Sequence, residues 1–220
     1  GRCLQAVCRA GQPLWGGEDL SEAWWALLLA VGLLLGFWAS NVAHSRGVPF
    51  YISRKIAHFV AGGVVLAFPF VFQGAFFPFL LPLLFLILLA ATHRREIFHG
   101  FVKKGRLAEV NFALSVLLAM MLAWRIDPWL AVVPGLFLAF GDGITGLIRF
   151  WIYKREVKGL WGSVGMLVVC LAISIPVLGW IGIPGSLVAT AAERQPYVDD
   201  NIAIGLASLA VLVPLHLIGG

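Results

Sequence analysis

The chain has 220 residues, of which 60% are hydrophobic and only 12% are charged, and its formal net charge is +5. Soluble domains carry roughly 25% charged residues, so this composition excludes an ordinary water-soluble domain. The basic residues lie in short runs between apolar stretches, which is typical of cytoplasmic membrane loops and not of a nucleic-acid-binding surface. The three cysteines have no CxxC spacing and predict neither a zinc site nor a disulfide framework.

Seven apolar stretches approach or exceed the length of about 20 residues that a helix needs to cross the hydrocarbon core. They cover residues 24–43, 56–72, 75–91, 111–124, 129–150, 160–183 and 201–218. We therefore expect an all-α, polytopic transmembrane bundle of about seven helices, with an N-terminal tail over residues 1–23 and a single transmembrane domain over residues 24–220. Only Gln73-Gly74 separates the second stretch from the third, which predicts a tight helical hairpin.

The distribution of basic residues predicts the orientation of the bundle. Twelve of the 16 Lys and Arg residues follow the first, third or fifth apolar stretch or lie at its end. Cytoplasmic loops carry an excess of Lys and Arg, so the N-terminus is expected outside and the three basic loops in the cytoplasm. The loop from Thr92 to Glu109 is interpreted as a solvated cytoplasmic surface.

The segment 184–200 does not fit simple alternation. It contains three Gly and Pro residues and four charged residues, and is too polar for a lipid-facing span. Residues Ser186 to Arg194 predict a short helix capped by Ser186. Alternation places this segment outside, whereas a broken or re-entrant helix shielded by protein would carry it inward.

The first cluster of polar residues opens the second apolar stretch. Arg54 and His58 are four residues apart and share a helix face, and Lys55 lies beside Arg54. Two cations and an imidazole can clamp a polyphosphate, because Arg offers a planar fork of donors and Lys a point charge. The alternative is topological anchoring by the two cations, with His58 as a buried hydrogen-bonding residue. An ionisable residue inside an apolar stretch favours function.

The second cluster is Asp142 between Gly141 and Gly143. A bare carboxylate in an apolar segment must pair with a cation, bind a metal or be protonated. We expect a Mg²⁺ ligand that holds a nucleotide, since Mg²⁺ takes one or two carboxylates together with phosphates. The alternative is an ion pair with Arg149.

The third cluster runs from Lys158 through Gly162 and Ser163. Glycines at 159, 162 and 165 leave one face of a helix start bare, and a helix N-terminus is an anion site. The alternative is close helix packing through small residues.

The fourth cluster is Glu193 with Asp199, Asp200 and Asn201. These residues can complete a metal site or orient a hydroxyl group. The alternative is a hydrophilic external loop in which Asp200 caps the last helix.

Taken in order, these clusters resemble the dolichol kinase and phytol kinase group of the CTP-transferase membrane superfamily. The matching residues run from Arg54 to about Ile204: Arg54-Lys55-x-x-His58, Gly141-Asp142, Lys158-Gly-Leu-Trp-Gly162-Ser163, and Glu193 followed by Asp199-Asp200-Asn201. Gly159 and Trp161 stand where that family commonly has Ser and Glu. The long C-terminal signature of phosphatidate cytidylyltransferases is not present in the sequence.

The resemblance implies CTP-dependent phosphorylation of a membrane lipid alcohol with Mg²⁺ or another divalent cation, at a cytoplasmic active site. Asp142, Lys158 and Asp200 would be catalytic, and Asp142 and Asp200 would hold the metal. The remaining residues of the clusters would bind nucleotide or lipid: Arg54, Lys55, His58, Gly162, Ser163, Glu193 and Asn201. The alternatives are a cytidylyltransferase that forms a CDP-activated lipid and a non-enzymatic transporter or lipid-binding protein on the same scaffold.

Overall fold

The computed structural model describes residues 20–93, 97–102, 107–153 and 159–219. Residues 1–19 of the predicted N-terminal tail lie outside the described residues. The described chain forms these helices: α1 (Leu20–Ser45), α2 (Phe50–Val71), α3 (Phe76–Thr92), α4 (Ala108–Ala123), α5 (Pro128–Leu136), α6 (Asp142–Tyr153), α7 (Leu160–Leu178), α8 (Gly182–Arg194) and α9 (Asp200–Gly219). A π-helical turn, Phe137–Gly141, joins α5 to α6, and a 3₁₀ turn, Gly179–Ile181, joins α7 to α8.

Joined in this way, the elements make seven segments, the number that the apolar stretches predicted, although the segment 160–194 folds back on itself and is not one straight helix. Five of these segments are long and apolar enough to cross a membrane: 20–45, 50–71, 128–153, 160–194 and 200–219. Helices α3 and α4 are shorter and also apolar. Large apolar side chains such as Leu28, Leu35 and Ile87 lie exposed on the outer surface. Lipid is the solvent that such a surface requires, and the chain is a multi-pass membrane protein.

The segment formed by α5 and the π turn is the centre of the bundle. Leu130, Val132, Phe137 and Ala139 have no exposed surface. This segment contacts α2, α4, α7 and α9. Its start is well specified, because Asp127 Oδ1 accepts a hydrogen bond of 2.7 Å from Trp129 N, and a proline occupies the first helical position. The central position places the end of the π turn, and therefore Asp142, among the surrounding helices.

Helices α7 and α8 form a hairpin. Ser174 Oγ lies 3.0 Å from Ser186 Oγ, although twelve residues of straight helix would separate them by about 18 Å. The chain reverses at Gly179, which adopts a φ of 63°. The prediction of a broken segment is therefore confirmed, but Ser186 does not cap it. The returning helix begins at Gly182, and Ser186 Oγ donates to Gly182 O inside it.

The connection between α2 and α3 is short, as predicted, but the tight hairpin is not formed. Gln73 N and Gly74 N donate to Glu22 Oε1 at the start of α1, over 2.8 and 3.4 Å. Beyond this turn α2 packs against α1 while α3 packs against α4. The two helices therefore diverge and leave a gap between the pairs α1–α2 and α3–α4.

Candidate functional site

Three ion pairs lie at one end of the bundle, and each joins two helices that are distant in sequence. Lys55 on α2 pairs with Asp142 on α6, Arg54 on α2 pairs with Glu109 on α4, and Arg149 on α6 pairs with Glu193 on α8. Five of these six side chains are at most 16% exposed, and Arg54 is 22% exposed. Buried charges are stable only when paired, so these contacts hold the site together.

The Lys55–Asp142 pair is the most central of the three. Lys55 Nζ lies 2.8 Å from Asp142 Oδ2 and also donates to the backbone carbonyl of Asp142 over 3.0 Å. Gly146 permits this approach, because a Cβ there would overlap the Tyr51 hydroxyl and Lys55 Cε. The π turn directly before Asp142 is a feature that occurs frequently at functional sites. Of the three expected fates of the Asp142 carboxylate, the structure shows pairing with a cation, but this cation is Lys55 and not Arg149 as the alternative had it.

His58 lies next to this pair, one helical turn after Arg54. Its Nε2 atom is 3.9 Å from Asp142 Oδ2, beyond hydrogen-bond distance. Its Nδ1 atom is 3.1 Å from the carbonyl oxygen of Arg54. The side chain is 4% exposed, and Nε2 has no hydrogen-bond partner among the described residues. The residue that the sequence placed in the site therefore has one nitrogen available to a ligand.

The sequence did not predict Glu109 as a site residue, because the loop that ends there was interpreted as a solvated cytoplasmic surface. Instead, Glu109 is 6% exposed and its Oε1 lies 2.9 Å from Arg54 Nε. Its Oε2 is buried without a hydrogen-bond partner in the described parts of the chain. A carboxylate in the first turn of an apolar helix was the available signal, since such a residue is either solvated or paired with a cation from elsewhere in the bundle.

The start of α2 is anchored by the turn at residues 97–102. Ser53 Oγ donates to Gly100 O, and Ser40 Oγ donates to Ser53 O over 2.6 Å. Asn41 Oδ1 accepts from Gly100 N over 2.8 Å. A side chain at Gly100 would overlap the backbone of α1, so only glycine permits this packing. These contacts position Arg54 and Lys55 relative to α1.

Glu193 is fully buried and its Oε1 lies 2.5 Å from Arg149 Nη2. Glu193 therefore does not lie in a hydrophilic loop, although the connection over residues 196–198 is exposed. The hairpin brings the end of α8 back to the end of the bundle at which α7 begins. The charges that act on Glu193 include Asp142 and Asp200 as well as Arg149. The fourth cluster is thus brought towards the second.

The glycines at the start of α7 are covered by α6. A Cβ at Gly162 would overlap Arg149 Nε, one at Gly165 would overlap Ile148, and one at Gly159 would overlap Tyr153. Thr145 Oγ1 also donates to Gly162 O over 3.2 Å. Close packing by small residues is therefore the role of this face, and the expected bare anion-binding face is not found. Ser163 is 8% exposed, whereas Trp161 points outward and is 58% exposed.

Asn201 and Asp200 begin α9. Asn201 Nδ2 donates to Ala108 O over 2.9 Å, and Asn201 O accepts from Ser115 Oγ over 2.8 Å. Asn201 therefore joins α9 to the first turns of α4, next to Glu109. The residue that caps α9 is Asp199, whose Oδ1 accepts from Asn201 N over 3.1 Å, and not Asp200 as the alternative interpretation had it. Asp200 is half-buried.

The expected catalytic Lys158 lies outside the described residues, which resume at Gly159. Within the described ranges, no three His, Cys, Asp or Glu side chains converge as a metal site. A Mg²⁺ ion that arrives with a nucleotide needs only one or two protein carboxylates, because phosphate oxygens and water supply the other ligands. Asp142, whose side chain is 16% exposed, fits the role of a single ligand.

An apolar cavity adjoins Glu109 of the Arg54–Glu109 pair and His58, and it occupies the gap between the α1–α2 and α3–α4 pairs. It comprises about 680 Å³ of space free of protein atoms, including the part that is open to the surroundings. Eighteen of the described residues line it, and all of these except His58 and Glu109 are apolar. The site therefore combines a group of buried charges with a hydrocarbon-like compartment.

No family model, curated protein or solved structure matches this chain.

Proposed function

We propose that this chain transfers the terminal phosphoryl group of CTP to the hydroxyl group of a membrane lipid alcohol, which yields CDP and a lipid monophosphate. The observation that carries the proposal is an apolar cavity that is lined by Glu109 of the Arg54–Glu109 pair and by His58, whose Nε2 is 3.9 Å from Asp142 Oδ2 of the Lys55–Asp142 pair. The phosphate donor is a polyanion and the acceptor is a lipid, so the reaction needs both environments side by side. CTP as the donor follows from the ordered resemblance of the motifs.

Phosphoryl transfer depends mainly on positioning and on neutralisation of negative charge. Arg54 and Lys55 supply two cations on adjacent positions of α2, and both are paired with carboxylates. An incoming phosphate group would replace the carboxylate partner of a cation, so Arg54 and Lys55 would each have an anionic partner before and after the nucleotide binds. A nucleotide-bound Mg²⁺ would neutralise phosphate charge, and Asp142 is the residue that would hold it.

The basic residues that predict a cytoplasmic side adjoin the same end of the bundle. Arg46 follows α1, and Arg54 and Arg149 lie in the ion pairs themselves. Under the positive-inside rule this end faces the cytoplasm, where CTP is available. The lipid acceptor would enter from the bilayer, between helices.

The proposal is tested with purified protein, Mg²⁺ and CTP labelled either on the γ- or on the α-phosphate. Acceptors are a polyprenol, a short prenol and diacylglycerol for the kinase, and phosphatidic acid and a polyprenyl phosphate for the cytidylyltransferase alternative. We expect a labelled lipid monophosphate only from γ-labelled CTP, with CDP as the second product. Lipid labelled from the α-phosphate would instead identify a cytidylyltransferase. Absence of label in every lipid would reject an enzyme of either kind and favour the non-enzymatic alternative.

A further inference from the structure

The cavity ends at two buried hydrogen-bond acceptors that lack donors among the described residues. His58 and Glu109 are 4% and 6% exposed, and they are the only polar side chains among the described residues that line it. The remaining walls come from apolar side chains of α1, α2, α3, α4 and the turn at residues 97–102, including Phe37, Phe85 and Phe101. A buried polar atom without a partner costs free energy, so these two atoms favour a ligand that satisfies them.

The hydrogen bond of His58 determines which nitrogen is the acceptor. Nδ1 is 3.1 Å from Arg54 O, and a carbonyl oxygen can only accept, so Nδ1 carries the hydrogen. In the neutral ring Nε2 then has a lone pair and can only accept. This atom lies 3.9 Å from Asp142 Oδ2, which is also an acceptor. A group that donates a hydrogen bond, such as a hydroxyl, is therefore the complement of His58 Nε2.

Glu109 adds a negative charge at the same end. Its Oε1 pairs with Arg54 Nε, and its Oε2 has no hydrogen-bond partner among the residues that the structure describes. A ligand with a phosphate or carboxylate head would place a second negative charge beside this carboxylate. A neutral hydroxyl head avoids that repulsion.

We infer that this cavity binds the hydrocarbon chain of an unphosphorylated lipid alcohol, and that the hydroxyl group donates its hydrogen bond to His58 Nε2. The inference rests on the proposed function, since a lipid alcohol is the acceptor of that reaction, and it specifies where the acceptor binds. The hydroxyl oxygen is then next to the Lys55–Asp142 pair, at the junction of the apolar cavity and the charged site. The apolar walls of the cavity suit part of a lipid hydrocarbon chain.

The same geometry selects against a phosphorylated lipid as the bound acceptor. A cytidylyltransferase must bind its lipid through a phosphate head, and here the cavity meets a carboxylate and a nitrogen lone pair. The inferred ligand class therefore favours the kinase over that alternative.

The test measures binding without nucleotide, with the full chain in nanodiscs. The probe is a hexadecanol analogue with a photoreactive diazirine in its chain, and cross-linked peptides are mapped by mass spectrometry. Competitors are hexadecanol, its methyl ether and hexadecyl phosphate. We expect cross-links on peptides that contain Ala61 or Phe112, displaced by the alcohol. The ether lacks the donor and should compete at least about tenfold less well, and the phosphate should compete less well still.

Two matched variants test the location. Leu89 lines the cavity and is 5% exposed, whereas Leu84 on the same helix is 51% exposed and lies outside it. Leu89→Trp should abolish the mapped cross-links, and Leu84→Trp should leave them unchanged. His58→Phe keeps the ring and removes the acceptor, so it should abolish the preference for the alcohol over the ether.

Several results would overturn the inference. Equal competition by ether and alcohol would show that the hydroxyl is not recognised. Cross-links confined to lipid-facing peptides would place the ligand elsewhere. The competition assay and the mapping of cross-links both use the wild-type protein, so they test the inferred site even when a variant does not fold. Binding of the alcohol without phosphoryl transfer would reject the proposed function alone, and transfer without cross-links in the cavity would reject this site alone.

Discussion

Arg149 Nη2 lies 2.5 Å from Glu193 Oε1 and joins the central helical segment to the returning arm of the α7–α8 hairpin. Glu193 is fully buried and Arg149 is 9% exposed. Glu193 belongs to the polar segment 184–200, which simple alternation of membrane spans would place on the outer side of the membrane. The ion pair therefore compensates the burial of a charged helix end and helps to keep α8 at the site.

The first prediction concerns this pair. Glu193→Leu leaves the Arg149 guanidinium buried without its carboxylate and should lower the free energy of unfolding by about 3 to 5 kcal/mol. The double variant Arg149→Met/Glu193→Leu should regain most of that loss, because an apolar pair of similar size needs no compensation. Thermal and denaturant unfolding in detergent measure the cycle. A double variant that is no more stable than the single one would show that the two charges are not coupled.

The second prediction concerns Asp142 and Lys55. Asp142→Asn should lower the rate of phosphoryl transfer about 100-fold or more, which is the effect of losing one electrostatic group in other active sites. It should also destabilise the fold, because it leaves the Lys55 ammonium buried without its carboxylate.

The double variant Lys55→Met/Asp142→Asn separates these two effects. It should recover stability and remain inactive. Activity assays and melting temperatures for both single variants and the double variant complete the measurement. A stable and fully active Asp142→Asn would contradict the assignment of the site.

A third prediction concerns Gly146, which leaves space for the side chain of Lys55 to reach Asp142. Gly146→Ala introduces a Cβ that overlaps Tyr51 and Lys55, so the ion pair must shift. We expect a loss of stability of about 1 to 3 kcal/mol, as for overpacking elsewhere, and a lower transfer rate.

The matched control is Gly63→Ala on α2, where a Cβ meets nothing within 4 Å. Its higher helix propensity should leave stability unchanged or raise it by up to about 1 kcal/mol. Melting temperature and transfer rate are compared for the two variants. Equal behaviour of the two alanines would mean that close packing at Gly146 does not control the position of Lys55.

The fourth prediction concerns orientation. Ser45 is exposed at the end of the bundle that holds the ion pairs, and Gln73 is exposed at the opposite end. In a Cys3→Ser/Cys8→Ser background, Ser45→Cys should react with a membrane-impermeant maleimide only from the cytoplasmic face, and Gln73→Cys only from the outer face. Cys170 is fully buried and should stay unlabelled in both. The reverse labelling would place the site outside and reject CTP as a cytoplasmic substrate.

Several features of the protein follow from the sequence because they depend on local composition. Partition into the membrane is a property of each apolar stretch, so the seven helical segments could be predicted from length and hydropathy. The cost of a bare intramembrane charge likewise requires a partner for Asp142 wherever the helices pack. The polarity of residues 184–200 identified a segment that cannot face lipid and that lies either outside the membrane or shielded by protein.

The identities of the partners were decided by the tertiary structure. Asp142 pairs with Lys55, 87 residues away, and not with Arg149 seven residues along its own helix. Glu109 is buried because α4 begins beside Arg54, and the cavity exists because α2 and α3 diverge after a short turn. These outcomes depend on how helices rotate and cross, which residue type and spacing along one helix do not specify. Burial then selects the arrangement in which every central charge meets an opposite one, because an unpaired charge inside the bundle would destabilise it.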